Sequence, residues 1–260
     1  MIKPRTESRE LAPARLERIL DHLRRRRFAR VNELCGELSA SPATVRRDLG
    51  SLERDGKLRR LHGGAMLAEG HLHEPAFDDK TSVSAAEKES IAGAALRFVN
   101  PTDTIFLDGG STVLAMAGLL AGHPDVTVVT NSLRVAAALA AGGPRLILVG
   151  GELRRHSQTF VGPLTRHLLD QLRVDKAFMG TIGVSRSELS TTDPREAFTK
   201  ELVMQRASQV ILLADHTKMD SVSFVRFGSC DDIDVLITDR RAPRRSLQDM
   251  RRKGIQVLAV

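Results

Sequence analysis

The chain of 260 residues has no Trp and no Tyr, and only nine Phe. That removes most of the stacking platforms on which single-stranded nucleic acid is held. It has two cysteines, Cys35 and Cys230, far apart and without a C-x-x-C spacing. They are expected to be free buried thiols in a reducing cytoplasm, not a redox pair or a zinc site. No apolar run approaches the length of a membrane span, and Met1-Ile2-Lys3-Pro4-Arg5 is not followed by a signal-peptide core. A cytoplasmic location and no membrane partner are therefore expected. No internal repeat or low-complexity tract is visible. His62, His71 and His73 fall across a turn and an aperiodic stretch with no second cluster. A zinc site needs converging ligands, so no metal is expected.

Charge is abundant but uneven. The net charge is +7, and residues 1–70 hold 16 Lys+Arg against 10 Asp+Glu, a net +6. A small basic module joined to a near-neutral large one fits a nucleic-acid reader attached to something else, although a basic solubilising face gives the same numbers. Within that module, residues 1–11 are polar and aperiodic. Leu16, Ile19, Leu20 and Leu23 recur at helical spacing and end in Arg24-Arg25-Arg26-Arg27. A second short helix is expected over Val31 to Leu38, then a tight turn at Ser39-Ala40. Ser41 is a ready N-cap and Pro42 suits the first helical turn. Val45, Leu49 and Leu52 make one buried face. Ala43, Thr44, Arg46 and Arg47 fall off it near the helix start, which suits a major groove. Gly56 ends this helix. Lys57-Leu58-Arg59-Arg60-Leu61-His62 alternates, and Gly63-Gly64 returns it into Ala65-Met66-Leu67, giving a hairpin wing. Arg59 and Arg60 of the wing are placed to straddle a phosphate backbone or to enter a minor groove.

The expected organisation is a winged helix-turn-helix over 12–67, a linker over 68–83 and a larger unit over 84–260. In the last, Ser84-Ala85-Ala86-Glu87 reads as a capping box starting a helix to about Val99. Strands are expected at Thr104–Leu107, Val126–Thr130, Arg145–Val149, Lys176–Met179, Val210–Ala214, Val235–Thr238 and Gln256–Ala259. Helices are expected near 112–121, 132–141, 163–172, 195–208 and 246–253. Short branched strands alternating with helices imply an α/β, doubly wound, largely parallel sheet.

Ligands of such sheets sit at the carboxyl ends of the strands. Asp108-Gly109-Gly110-Ser111-Thr112 is a phosphate-cradle candidate, with glycines, hydroxyls and a helix N-terminus, but it lacks the Lys-Ser/Thr ending of a Walker A loop. Thr130-Asn131-Ser132 is a polar rim or a plain N-cap. Gly150-Gly151, with Arg154 and Arg155 nearby, is a third strand end. Glu196 and Lys200 have the spacing of a surface ion pair. In Asp215-His216-Thr217-Lys218, Lys218 is able to reach a phosphate or to stand in solvent, and His216 reads as structural.

Taken together, these residues resemble the DeoR family of bacterial transcriptional regulators. Thr44-Val45-Arg46-Arg47-Asp48-Leu49, Leu52-Glu53, Gly56 and His62-Gly63-Gly64-Ala65 look like its N-terminal signature. Ile105 through Thr112, Thr130-Asn131-Ser132, Gly150-Gly151, Val161-Gly162-Pro163 and Asp215 through Lys218 look like its sensor domain. The sensor is similar to ribose-phosphate isomerase-type domains. The resemblance implies a repressor of a carbohydrate-catabolic operon that binds double-stranded operator DNA as a dimer or tetramer and senses a phosphorylated sugar. It implies DNA contacts at Ser41, Ala43, Thr44, Arg46, Arg47, Arg59 and Arg60. Effector contacts are expected at Asp108, Gly109, Gly110, Ser111, Thr112, Thr130, Asn131, Ser132, Gly150, Gly151, Glu196, Lys200, Asp215 and Lys218. The isomerases carry an acidic cluster after the strand that ends here at Met179, where this chain has Gly180-Thr181-Ile182-Gly183. Proton transfer needs a placed base, so binding without turnover and without a cofactor is expected. The alternative is an active sugar-phosphate isomerase with a DNA-binding appendage.

Overall fold

Helical spacing of apolar residues builds the first unit. A computed structural model describes residues 12–26, 28–54, 57–61, 63–67 and 77–260, and the chain divides into two compact units after residue 73. Ile19 and Leu23 lie on α1 (Ala12–Arg26) and are fully buried. A three-residue strand, β1 (Phe28–Arg30), follows directly and was not expected from the sequence. Then come α2 (Val31–Leu38) and α3 (Pro42–Arg54), separated by Ser39 in the left-handed region at φ 49°. Leu34, Val45, Leu49 and Leu52 meet Ile19 and Leu23 in one core, each burial stabilising by roughly 1.5–3 kcal/mol. Asp48 is buried on the same side of α3. Arg15 holds it with a two-pronged ion pair, Nε to Oδ2 at 2.6 Å and Nη2 to Oδ1 at 3.1 Å. The wing is β2 (Leu58–Leu61) and β3 (Gly64–Leu67), with β3 in the centre of an antiparallel sheet ordered β1-β3-β2. A side chain at position 64 would place its Cβ 2.5 Å from the Ala29 carbonyl oxygen, so only glycine lets β1 pair there. Residues 1–11, Gly56, His62, His71, His73 and the first part of the expected linker lie outside the described residues.

The rest of the expected linker departs from its sequence reading. Phe77–Ser82 is a helix, α4, anchored by buried Phe77. The next helix, α5 (Ala85–Leu96), stops three residues short of Val99, and its capping box does not form. Ser84 sits in the left-handed region at φ 55° and its side chain makes no cap hydrogen bond.

The order then runs β4 (Thr104–Leu107), α6 (Ser111–Leu119), β5 (Thr127–Thr130), α7 (Leu133–Leu139), β6 (Arg145–Leu148), β7 (Glu152–Arg154), β8 (Thr159–Val161), α8 (Arg166–Leu169) and β9 (Val174–Met179). It continues through β10 (Gly183–Val184), β11 (Glu188–Thr191), α9 (Pro194–Arg206), β12 (Ala207–Leu213), β13 (Val225–Ser229), β14 (Val235–Thr238), α10 (Arg244–Arg252) and β15 (Gln256–Ala259). Seven strands form a parallel sheet ordered β15-β14-β12-β9-β4-β5-β6. Alternate residues face opposite layers, as the two-residue period of a strand requires. Ile105 and Leu107 pack under α5, α6 and α7, while Phe106 faces the layer of α9 and α10. The chain leaves β4 toward β5 and β6, then crosses back to β9 on the other side of β4. The gap between the ends of β4 and β9 is therefore the topological switch point, where such sheets bind ligands. Five short strands missed in the sequence, β7, β8, β10, β11 and β13, form a hairpin and a small antiparallel sheet.

Candidate functional site

The N-terminal half of α3 carries the residues expected to read a groove. Ser41 Oγ accepts the Thr44 N–H at 3.2 Å and bonds Thr44 Oγ1 at 2.9 Å, which caps the helix. Ser41, Ala43, Arg46 and Arg47 are exposed and Thr44 is half-buried. No acidic residue occupies the first turn of α3, so its positive end is left to meet a phosphate. The wing is pinned beside it. The Arg60 N–H donates to Glu53 Oε1 at 2.9 Å, and the Arg60 side chain is exposed. Arg59 lies on β2, but its side chain is outside the described residues.

In the second unit, a cavity opens at the switch point. Its floor is Asp108 through Thr112 after β4, Gly180 to Ile182 after β9, and Leu213 to Asp215 at the end of β12. α9 contributes Glu196 and Lys200, the β7–β8 hairpin Ser157 and Thr159, and the flanks Asn131, Thr191, Lys80 and Lys218. Gly109 is required at its position, since a Cβ there would stand 2.0 Å from Thr159 Cγ2. Gly110 is the N-cap of α6 and offers no side chain to its first N–H groups. These groups, with the Ser111 and Thr112 hydroxyls, can cradle an anion. Asn131 donates from Nδ2 to the Phe160 carbonyl at 2.9 Å. Its Oδ1 is buried and has no protein partner among the described residues.

The acidic residues of the wall are each engaged. Asp108, 2 % exposed, accepts the Gly180 N–H at 2.9 Å and the Lys200 ammonium. Lys200 also donates to the Gly180 carbonyl at 3.0 Å. Glu196, 7 % exposed, accepts from Thr191 Oγ1 at 2.9 Å and Arg154 Nη1 at 3.2 Å. Glu196 and Lys200 are thus not the surface ion pair that their spacing implies. Both are turned inward and each meets a partner from another element. Asp215 is buried and accepts the Thr217 N–H at 2.9 Å. Arg154 extends the network, donating from Nε to Asp193 Oδ2 at 3.0 Å. The Arg195 guanidinium, against the opposing cost of burial, holds the Asp193 carboxyl well below the usual carboxylate range, and Arg154 adds to it.

Several expected positions do not line the cavity. Thr130 Oγ1 donates to the Leu107 carbonyl at 2.6 Å, and Ser132 Oγ caps α7 by accepting the Val135 N–H. Gly150 and Gly151 follow β6 at the sheet edge and are absent from the lining. Cys35 is half-buried, not buried as expected, while Cys230 is buried. Sequence reasoning missed Lys80, Ser157, Thr159 and Thr191. Lys80 lies in an aperiodic stretch, Ser157 in the turn between β7 and β8, and Thr159 and Thr191 on strands of three and four residues, too short to show an alternation. Among the described residues, no group of three His, Cys, Asp or Glu converges as for a metal. No helix among them is long and apolar enough to cross a membrane.

A winged helix-turn-helix joined to a doubly wound unit with a polar cavity is the layout of a two-part transcription regulator. Residues 15–70 match the DeoR-like helix-turn-helix domain and residues 83–240 the DeoR C terminal sensor domain. The HTH-type transcriptional repressor GlcR of Bacillus subtilis (strain 168) is 33% identical over 94% of this chain and 95% of its own. The glycerol-3-phosphate regulon repressor of Escherichia coli (strain K12) is 32% identical over 92% of this chain and 95% of its own. A structure of D-ribose-5-phosphate isomerase in complex with phospho-erythronic acid aligns over 52% of this chain and 55% of its own, at 21% identity and a TM-score of 0.40. The chain belongs to the DeoR family of transcriptional regulators.

Proposed function

We propose that this DNA-binding repressor controls a carbohydrate-catabolic operon and that a phosphorylated sugar in the switch-point cavity weakens its hold on operator DNA. Ser41, Ala43, Thr44, Arg46 and Arg47 meet base edges or adjacent phosphates, and Arg59 and Arg60 hold the backbone, with the protein acting as a dimer or tetramer. The observation that carries the effector reading is the α6 N-terminus at the switch point, left without a side-chain cap and opening on the cavity. The phosphate sits there on Gly109, Gly110, Ser111 and Thr112, with Lys218 beside it, and the sugar hydroxyls face Asn131 and Glu196. Release follows if the ligand prefers the conformation that binds DNA poorly. The bonded state of Asp108, Glu196 and Asp215 supports binding without turnover, since proton transfer needs a base within reach of the substrate.

The test is a gel shift on the promoter beside the protein's own gene, challenged with a panel of phosphorylated sugars. Release by one of them, blunted in Ser111→Ala and Lys218→Ala, is expected. Equal sensitivity of both variants and the parent removes the cavity from the mechanism. Measurable isomerisation of a pentose or hexose phosphate restores the enzyme reading.

A further inference from the structure

α4 stands outside the sheet and is the first described element of the second unit. Its six residues have one apolar anchor, Phe77, whose ring lies 5.6 Å from the Arg134 guanidinium carbon of α7. The other end is fastened by Lys88, buried on α5, which donates to the Lys80 carbonyl and to the Val83 carbonyl at 2.6 Å. A buried ammonium is costly and its charge-assisted bonds offset that cost. Burial holds the Lys88 amine below its usual value. Asp215 opposes the shift, and the charges of Lys218 and Lys80 add to it. The Lys88 ammonium thus feels two others, Lys80 and Lys218, and the buried Asp215 carboxylate. Lys80 and Lys218 both line the cavity. α4 also packs on α6, whose uncapped N-terminus opens on the same cavity. There the buried Oδ1 of Asn131 lacks a protein donor among the described residues.

We propose that α4 is a ligand-gated connector: Lys80 and Lys218 close from separate elements on the anionic group of the phosphorylated sugar, and the seating of α4 passes occupancy to the chain that leads back to the DNA-binding unit. The inference rests on the effector reading above. An anion at the α6 N-terminus attracts both ammonium groups and relieves their repulsion with Lys88. Occupancy then favours the seated α4, and a ligand acts on an equilibrium only through such a difference.

Hydrogen exchange on the full-length chain reads residues 77–83 with and without D-ribose 5-phosphate, D-fructose 6-phosphate, sn-glycerol 3-phosphate and inorganic phosphate. Calorimetry reads the affinity of each. Slower exchange over 77–83 is expected with every sugar phosphate that binds the parent. Lys80→Met binds that compound about ten-fold more weakly, the loss of one charge-assisted hydrogen bond, and Lys80→Arg restores it. Binding without a change over 77–83, or Lys80→Met binding as tightly as the parent, overturns the connector and leaves the effector reading standing. Failure of the parent to bind any phosphorylated compound overturns both. The exchange measurement on the parent needs no variant, so a misfolded Lys80→Met leaves the test intact.

Discussion

Replacing Lys200 by Met tests whether the centre of the cavity is framework or ligand-binding surface. Asp108 is 2 % exposed and its carboxylate is shared between the Gly180 N–H and Lys200. Removing the ammonium strands a buried charge with one backbone donor. Breaking a buried ion pair this way costs about 3–5 kcal/mol. The surviving Gly180 bond at 2.9 Å places this case near the lower end, about 3 kcal/mol. Asp108→Asn is milder, about 1–2 kcal/mol, because the Lys200 side chain is 11% exposed and its flexible stem can turn toward the cavity mouth. The double variant removes both charges, so its cost falls short of the sum by about 1 kcal/mol or more. With no Trp or Tyr in the chain, intrinsic fluorescence is a poor probe. Scanning calorimetry resolves the second unit, where about 3 kcal/mol lowers Tm by roughly 6–12 °C. Additive single and double variants, or a Lys200→Met transition at the parent temperature, would refute the framework role.

Arg47→Ala is expected to lower operator affinity by about 1–3 kcal/mol and to relax selection at one base pair. Arg60→Ala is expected to weaken all sequences alike and to reduce the slope of log K against log salt by about one; filter-binding titrations separate the two, and undiminished selectivity in Arg47→Ala removes α3 from recognition. Burial pushes the Cys230 thiol up to about 11 against the opposing charge of Lys253, so iodoacetamide is expected to leave it unmodified in the native protein near neutral pH and to label it on unfolding, as mass spectrometry reads directly. Asp193 has a lowered folded pKa, so its carboxylate stabilises above the unfolded value of about 3.9 and that contribution is lost as pH falls from there through the folded value. The stability gap between the parent and Asp193→Asn is therefore expected at neutral pH and to narrow below about pH 4 in urea melts; a gap that widens on acidification reverses the sign.

The seven sheet strands were legible because buried parallel strands are branched apolar runs, as in Val235-Leu236-Ile237-Thr238. β7, with Glu152-Leu153-Arg154, has no such run and exists through pairing with β8. β1 is held by β3, whose paired residues lie 34 to 38 positions further along the chain, beyond the reach of any local pattern. α4 offers one apolar residue in six, and Lys88 supplies what periodicity lacks. Within the site, Asp108-Gly109-Gly110-Ser111-Thr112 and Gly150-Gly151 look alike as strand-end turns. Strand order separates them, because β4 is central at the switch point and β6 is an edge. Likewise, a four-residue spacing places Glu196 and Lys200 on one side of α9 but does not choose their partners.

The geometry of the cavity wall also bears on how a small ligand produces a large response. A hundred-fold change in DNA affinity requires about 2.7 kcal/mol of differential binding. One charge-assisted hydrogen bond supplies roughly 1.5–3 kcal/mol, provided it exists in only one state. The strand ends are fixed by the sheet, so under the proposed effector reading contacts to Gly109 or Gly180 do not by themselves distinguish two states. Among the parts of the wall outside the sheet, two suit such a contact. The β7–β8 hairpin is bound to α9 and its N-cap by Arg154 through Asp193 and Glu196, which suits closure over the ligand. α4 is held by one aromatic anchor and the bonds of Lys88, and it carries Lys80 into the cavity. Under the proposed reading, a contact there is of the size the response needs, and it falls on the segment whose chain continues back toward the N-terminal unit.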